Sequence, residues 1–206
     1  MVNTIPLIIA SYDHAMWAVL GVRPSPEEAR GWIGQTLYGT FSARHPERAQ
    51  ELVDSYVAWN AEHLSDLLED YPGVEELVAE LSASGATIGV VTSKRHVSAT
   101  NTLRAAGLDG HLPLLVAMED TAVHKPNPAP LLLALQRLGV RAAECVYIGD
   151  AVVDVLAAKA AGMASIAVTW GAGDIADLVA AGPLAIVDTM EELRAHLLEE
   201  SSSKPS

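Results

Sequence analysis

From about residue 72 onward, short apolar runs alternate with helical segments, and this alternation constrains the fold of the chain more than any other feature. The apolar runs lack polar alternation, as strands buried on both faces of a parallel sheet do. They cover residues 87–91, 114–118, 145–148, 165–168 and, more weakly, 184–187. Helical segments separate or follow them at 74–83, 97–106, 128–138, 152–161 and 190–199. The pattern predicts an α/β fold with a doubly wound parallel sheet and right-handed crossovers.

The first 70 residues, in contrast, carry only helical signals. Ser25-Pro26-Glu27-Glu28 predicts a helix start, because the serine oxygen can cap free amides and Glu28 completes a capping box. A longer helix is predicted from near residue 45 to residue 68. The polar, glycine-flanked stretch at 34–40 is either a loop that faces a ligand or a simple connector between helices. We therefore expect three parts, at residues 4–70 (all-helical), 71–199 (α/β core) and 200–206 (disordered tail).

Charge and composition narrow the classes of partner. The 206 residues contain 26 acidic and 13 basic side chains, a formal net charge of −13, which disfavours nucleic acids and anionic membranes. An anionic substrate would therefore need a metal ion or a few well-placed lysines and arginines. The single cysteine, Cys145, excludes an internal disulfide and fits the reducing cytoplasm. No apolar run approaches the ~20 residues of a membrane span, and the apolar opening at residues 5–10 is too short for a signal peptide.

In an open parallel sheet, ligands bind at the carboxyl ends of the strands, so the polar residues at those ends are the first candidates for a site. Thr92-Ser93-Lys94-Arg95 places two hydroxyls and two cations between a strand and a helix, an arrangement suited to an anion. The same residues also fit a plain helix cap followed by exposed basic side chains. Lys125 precedes three prolines in five residues, so it is a cation on a stiff, extended loop. Taken alone, it could equally be an ordinary solvated lysine.

Two carboxylates stand at the end of a later strand. Asp150 follows the 145–148 strand and a glycine, a position suited to holding a hard cation such as Mg2+. Asp154 comes four residues later, one helical turn on and on the same side. The alternative is that Asp150 caps the helix while Asp154 interacts favourably with the helix dipole. Each signal is weak by itself, and only their combination is specific.

Taken in order along the chain, Thr92, Lys125 and the Asp150/Asp154 pair resemble the second, third and fourth motifs of haloacid dehalogenase-type phosphohydrolases. The segments around Thr92 and Lys125 are similar to the branch that contains phosphoglycolate phosphatases and pyrophosphatases. The resemblance covers nearly the whole chain, from residue 2 to about residue 199. It implies a Rossmann-like core into which a small helical cap is inserted.

The resemblance also implies roles for individual residues. Thr92 would hydrogen-bond the phosphoryl group, and Lys125 would neutralise it together with the nucleophile. Asp150 would bind Mg2+, with Asp154 supporting that site. Arg95 is a candidate contact for a second phosphate or a carboxylate, and cap residues would set selectivity. The candidate substrate-binding residues are therefore Ser93, Arg95, Gln35 and Thr36.

The family's first motif, Asp-x-Asp-Gly-Thr, does not occur in the chain. In the family, its first aspartate forms an aspartyl-phosphate and its second serves as general acid and base. Asp13 is a poor substitute, since it lies in a predicted helix with no glycine turn after it. The segment that begins at Val2 resembles the stretch that comes shortly after the motif in relatives. We therefore expect the first core strand to be absent through a wrong start codon, a truncation or genuine loss of the motif.

The missing motif leads us to expect little or no turnover and reduced stability, because strands beside an absent strand lose backbone partners. A smaller departure lies in the fourth motif, where Ala151 follows the metal-binding aspartate and relatives often have a hydroxyl residue.

These observations predict a Mg2+-dependent phosphohydrolase acting on a small phosphorylated substrate, such as phosphoglycolate or pyrophosphate. The alternative is a catalytically inactive relative that binds a phosphorylated ligand or a partner protein. Hydrolysis of a carbon–halogen bond ranks third, because the set Thr92, Lys125 and Asp150 and the Lys94-Arg95 pair suit a phosphate better. A dinucleotide-binding function is disfavoured, since no Gly-x-Gly-x-x-Gly turn follows any predicted strand.

Overall fold

The structure is a computed structural model that describes residues 2–199. Its strands are β1 (Val2–Asn3), β2 (Glu69–Asp70), β3 (Val90–Val91), β4 (Leu114–Val116), β5 (Val146–Gly149), β6 (Ala164–Val168) and β7 (Ala185–Val187). Its α-helices are α1 (Ile5–Leu20), α2 (Pro26–Gly31), α3 (Leu37–Arg44), α4 (Ala49–Leu67), α5 (Val74–Ala83), α6 (His96–Ala105), α7 (Ala129–Leu138), α8 (Val152–Ala160), α9 (Ile175–Ala181) and α10 (Met190–Glu199). The predicted disordered tail, 200–206, lies outside the described residues.

The N-terminal helices, α1–α4, form a layer with its own buried core. α1 packs along α4, while α2 lies against α1 and α3 against α4. Tyr12 stands edge-on to Trp32 and Phe41, with ring centroids 5.0 and 5.5 Å apart. The predicted capping box at the start of α2 is confirmed, since Ser25 and Glu28 exchange side chain–amide hydrogen bonds. β1 pairs with β2 antiparallel, so the chain enters and leaves this layer at one place.

The core strands form two parallel sheets where the sequence predicted one. β3 pairs with β4, and β6 lies between β5 and β7. Within residues 2–199, no strand pairs with the second edge of β3 or of β5. Tyr147 Oη in β5 donates to Val91 O in β3 at 3.1 Å, so these two strands are neighbours although they belong to different sheets. Ile148, in β5, is 40% exposed, although strands of parallel sheets are ordinarily buried. Within the described residues, the facing edges of β3 and β5 therefore have no strand partner, and Ile148 is left partly open to solvent.

Helices cover both faces of the larger sheet. Ile166 packs with Leu77 and Leu193, which belong to α5 and α10. Its neighbour Ala167 points to the opposite face, because side chains alternate along a strand, and it packs with Val155 of α8. This three-layer arrangement is the predicted doubly wound α/β architecture.

Four local features differ from the prediction or are absent from it. The strand expected at 87–91 pairs only at Val90–Val91, and its first residues lie largely exposed. α3 begins inside the stretch expected to be a loop or connector, because Thr36 Oγ1 caps it by accepting from Gly39 N–H at 3.3 Å. The β1–β2 ribbon is too short to leave a pattern in sequence. The sequence did not predict α9, because Asp174, the residue that caps its start, follows a glycine-rich turn.

In the described part of the chain, no helix combines the length and apolarity needed to cross a membrane.

Candidate active site

Four of the predicted site residues, Thr92, Lys125, Asp150 and Asp154, lie where β3 and β5 end. Thr92 follows β3 and Asp150 follows β5. Lys125 Nζ donates to Tyr147 Oη at 3.2 Å, and that hydroxyl donates to the carbonyl of Val91 at 3.1 Å. A chain of hydrogen bonds therefore links Lys125 to both strands. Its loop contains a cis peptide bond between Lys125 and Pro126.

Lys125 and Asp154 form a buried ion pair. Nζ lies 2.5 Å from Oδ1, and each side chain is 8% exposed. Burial alone would lower the pKa of Lys125, but the Asp154 carboxylate and the Tyr147 hydroxyl together raise it above its ordinary value. Burial also raises the pKa of Tyr147 to about 12, against the lowering influence of Lys125. Lys125 is therefore a fixed positive charge and Tyr147 a neutral phenol at neutral pH.

The two aspartates of the fourth motif have different surroundings. Asp154 accepts from Lys125 through Oδ1 and from the amides of Asp150 and Ala151 through Oδ2, at 3.3 and 3.2 Å. Asp150 is held by the loop after β6: its Oδ2 accepts from Ala172 N–H at 2.9 Å, and its carbonyl accepts from Gly173 N–H at 2.8 Å. Asp150 Oδ1 has no partner within residues 2–199. Asp154 thus organises the loop and Lys125, while Asp150 keeps a free carboxylate oxygen.

The donors at this place fit Mg2+ better than a transition metal. Mg2+ is commonly held by one or two carboxylates, with water and phosphate oxygens completing its octahedron, and Asp150 supplies such an oxygen. Among the described residues, no group of three or more His, Cys, Asp or Glu side chains is arranged to hold a metal ion. Asp150 Oδ1 is therefore the carboxylate oxygen that could serve as a ligand here, and other oxygens would have to complete a metal site.

The hydroxyls of the second motif lie at the edge of the smaller sheet. Thr92 N–H donates to Val116 O at 2.9 Å, and Thr92 Oγ1 accepts from Lys94 N–H at 3.1 Å. Ser93 Oγ donates to Gly34 O, in the N-terminal helices, at 3.2 Å. Thr92 is thereby fixed beside the strand end, while Ser93 bridges to the helical layer.

The two cations of the segment after Ser93 point to different places. Arg95 Nε lies 3.2 Å from Glu119 Oε1, and the Arg95 side chain is 58% exposed. Lys94 Nζ lies 3.4 and 3.5 Å from two threonine hydroxyls and forms no ion pair within residues 2–199. Burial lowers the pKa of Lys94 to about 8, while the charge of Asp150 acts in the opposite direction. Lys94 and Asp150 are therefore close enough for their charges to interact, whereas Arg95 is paired with Glu119.

The glycine-flanked stretch of the N-terminal helices lies against the core beside this site. A Cβ placed on Gly34 would come within 3.3 Å of the Ala151 side chain, so the two segments are in close contact. Gln35 is exposed and Thr36 is half-buried, with its hydroxyl engaged as the cap of α3. Gln35 and Thr36 therefore lie directly after the point of contact.

Three contributors to the site escaped sequence reasoning. Tyr147 could have been suspected, since a phenol in an apolar strand ordinarily seeks a polar partner. The loop at 170–173 has only its glycines as a signal. Nothing in the sequence around Arg30 indicates a role in the site. In the structure, however, its Nη2 donates to Gly171 O at 2.9 Å and so connects the helical layer to the core.

Comparison with known proteins agrees with this architecture. Residues 1–168 match the family model described as haloacid dehalogenase-like hydrolase. The pyrophosphatase PpaX of Bacillus cereus (strain AH820) is 33% identical over 193 residues, which cover 94% of this chain and 89% of that protein. The solved structure of a hydrolase from Pseudomonas syringae has a TM-score of 0.85 at 25% identity and covers 97% of this chain and 94% of its own. A predicted phosphoglycolate phosphatase from Haemophilus somnus superposes with a TM-score of 0.84 at 22% identity, covering 98% and 93% of the two chains.

The fold is thus a doubly wound α/β core preceded by a helical layer, the architecture shared with the solved hydrolase from Pseudomonas syringae. The chain belongs to the haloacid dehalogenase-like hydrolase family, and the resemblance seen in its motifs is confirmed.

Proposed function

We propose that the chain is the greater part of a Mg2+-dependent phosphohydrolase that acts on a small phosphorylated substrate. Its substrate would be pyrophosphate or a small phosphomonoester such as phosphoglycolate, by analogy with the names of its relatives. The observation that carries the proposal is the convergence of Thr92, the Lys125–Asp154 pair and Asp150 at the carboxyl ends of two neighbouring strands. We also propose a cytoplasmic location, and only the cysteine content supports it: a chain with a single cysteine fits a reducing compartment.

Each side chain would contribute a distinct part of the chemistry. Thr92 would donate its hydroxyl to a phosphoryl oxygen. Lys125, held as a cation by Asp154, would stabilise negative charge on the transferring group, which is where phosphoryl transfer needs most help. Asp150 would hold Mg2+, and the bound ion would offset the charge of the substrate oxygens. The N-terminal helices would act as a cap that excludes water, with Gln35 and Thr36 at the rim, and with Ser93 and Arg95 as further substrate contacts.

The nucleophile would come from outside these 206 residues. The sequence holds no Asp-x-Asp-Gly-Thr motif, and Asp13 lies inside α1, where its carboxylate pairs with Arg23. The unpaired edges of β3 and β5 support a place for an additional parallel strand, whose carboxyl end would lie beside Thr92 and Asp150. An aspartate there would form the aspartyl-phosphate, so the chain by itself should not turn over substrate.

Calorimetric titration with pyrophosphate, with and without Mg2+, tests the site without requiring turnover. We expect Mg2+ to strengthen binding and Asp150→Asn to weaken the Mg2+-dependent binding at least about 10-fold, a loss of about 1.4 kcal/mol. Asparagine keeps the acceptor for the Ala172 amide and removes only the charge. Asp177→Asn, which changes an exposed carboxylate on α9, is the matched control. Binding that ignores both Mg2+ and the Asp150 substitution would contradict the proposal.

The second candidate is a catalytically inactive protein that binds a phosphorylated ligand. It is favoured by one observation, the absence of the nucleophile motif from a chain that keeps Thr92, Lys125 and Asp150. The nucleotide sequence before codon 1 distinguishes the hydrolase from the inactive binding protein. An in-frame stretch that encodes Asp-x-Asp-Gly-Thr supports the hydrolase, and an in-frame stop close to codon 1 supports the binding protein.

A further inference from the structure

Arg30 joins the N-terminal helices to the loop that holds Asp150. It lies near the end of α2, and its Nη2 donates to Gly171 O at 2.9 Å. This hydrogen bond spans 141 positions of sequence and is partly buried. Together with the Ser93–Gly34 contact, it is a direct polar link between the helical layer and the strand ends.

The loop that Arg30 contacts is built around Asp150. A Cβ added to Gly171 would lie 2.1 Å from Asp150 Cβ and 2.3 Å from Asp150 Oδ2, so the aspartate packs directly on the glycine backbone. The next two amides, of Ala172 and Gly173, donate to Asp150 Oδ2 and to its carbonyl. A shift of this loop would therefore rotate or release the carboxylate.

A second side chain holds the loop from the core. Tyr71 Oη donates to Trp170 O at 2.8 Å, and Tyr71 follows β2, where the helical layer rejoins the core. Burial and the charge of Asp150 raise the pKa of Tyr71, whereas Arg30 lowers it. The Arg30 cation and the Asp150 carboxylate are thus close enough to act on the same phenol.

We propose that Arg30 is a positioning residue for Asp150: with the N-terminal helices closed on the core, it fixes the 170–173 loop in the arrangement that presents the Asp150 carboxylate to a divalent cation. The inference rests on the proposed cation-binding role of Asp150. Because coupling between two events is reciprocal, a cation bound at Asp150 would in turn favour closure of the helical layer. Opening of the layer would break the hydrogen bond to Gly171 and weaken cation binding.

Two measurements on the full chain test this role. The first is calorimetric titration with Mg2+ alone, and the second is amide hydrogen exchange at residues 170–173 in metal-free protein. Arg30→Gln should weaken Mg2+ binding about 5-fold or more, the usual lower range of coupling between sites. It should also speed exchange of the Ala172 and Gly173 amides. Arg30→Lys keeps a cationic donor and should recover most of both effects.

Arg48→Gln is the matched control, because Arg48 Nη2 also donates to a backbone carbonyl, that of Val19, but within the helical layer. It should leave Mg2+ affinity and exchange at 170–173 unchanged. Because closure of the helical layer and cation binding would favour each other, bound Mg2+ should also affect amide exchange in the helical layer, which a purely structural role of Arg30 would not explain. Mg2+ should slow exchange around Gly34 in the unmodified chain and do so less in Arg30→Gln.

The outcomes separate this inference from the proposed function. If the unmodified chain binds no Mg2+, the cation-binding role of Asp150 fails, and the inference fails with it. If Mg2+ binds and Arg30→Gln matches the unmodified chain in affinity and exchange, only the inference is overturned. An equal loss of Mg2+ affinity in Arg48→Gln also overturns the inference. An effect of Arg30→Gln on pyrophosphate affinity alone overturns it too, because Arg30 would then be a substrate contact.

Discussion

Replacement of Lys125 by methionine should destabilise the protein far more than loss of a surface charge. Lys125 and Asp154 are each 8% exposed and lie 2.5 Å apart, so the substitution leaves a carboxylate buried without its counterion. Breaking a buried pair on one side costs about 3–5 kcal/mol, a large share of the about 5–15 kcal/mol that stabilises a typical domain. Methionine preserves much of the side-chain volume, so the loss reports the charge rather than a cavity.

The double variant Lys125→Met/Asp154→Asn decides whether that explanation holds. It removes both charges, while the asparagine oxygen can still accept from the Asp150 and Ala151 amides. We expect it to recover more than half of the loss, since removing both members of a buried pair is far less costly than removing one. Arg141→Met, which breaks an exposed pair with Glu144, is the control and should change stability little.

Urea denaturation followed by circular dichroism measures these differences, with soluble yield as a second readout if the single variant does not fold. The pKa of Lys125 is higher in the folded protein than in the unfolded chain, where it is about 10.4. The charged lysine therefore contributes its full stabilisation below about pH 10.4, and this stabilisation is lost only as the pH rises above that value. Titration of Lys125 should therefore give the Lys125→Met difference no pH dependence between pH 6 and 9. A double variant no more stable than the single one would show that the loss does not come from the unpaired charge of Asp154.

Three further predictions concern single residues, two of them in the site and the third, Asp120, outside it. Thr92→Val should weaken Mg2+-dependent pyrophosphate binding about 10-fold or more in calorimetry, because a hydrogen bond to a charged group is worth about 1.5–3 kcal/mol; unchanged affinity would remove Thr92 from the site. Gly171→Ala should lower Mg2+ affinity, because its Cβ would collide with Asp150, and a crystal structure would show a displaced carboxylate. Asp120, whose pKa is lowered to about 2 chiefly by Arg137, stabilises the fold above its unfolded pKa. The thermal stability gap between Asp120→Asn and the unmodified chain should therefore shrink as the pH falls from 4 towards 2.

The core architecture could be predicted because local and global signals agree. Buried parallel strands leave unbroken apolar runs, and the helix at Val74–Ala83 appears with the bounds that the sequence predicted. The division of the core into two sheets could not be read from the same runs, because pairing depends on which strand lies alongside. That is why the 87–91 run keeps only Val90–Val91 as a paired strand.

The sequence indicated candidate site residues but not the contacts that they make. Thr92, Lys125 and Asp150 were identified because they end strand units in a recognisable order. Sequence did not show that Asp154 pairs with Lys125, or that Arg95 turns to Glu119. Such pairings join residues from different loops, and only the packed fold brings those loops together.

The most direct test of the account is phosphate release from pyrophosphate with Mg2+, measured on two proteins. One is the 206-residue chain, and the other is the same chain extended at its N-terminus by a strand that ends in Asp-x-Asp-Gly-Thr. We expect no turnover by the first protein and Mg2+-dependent turnover by the second, and we expect Asp150→Asn to abolish the turnover of the second. Equal turnover by both proteins would show that the nucleophile lies within the present chain. No turnover by either would favour the ligand-binding alternative.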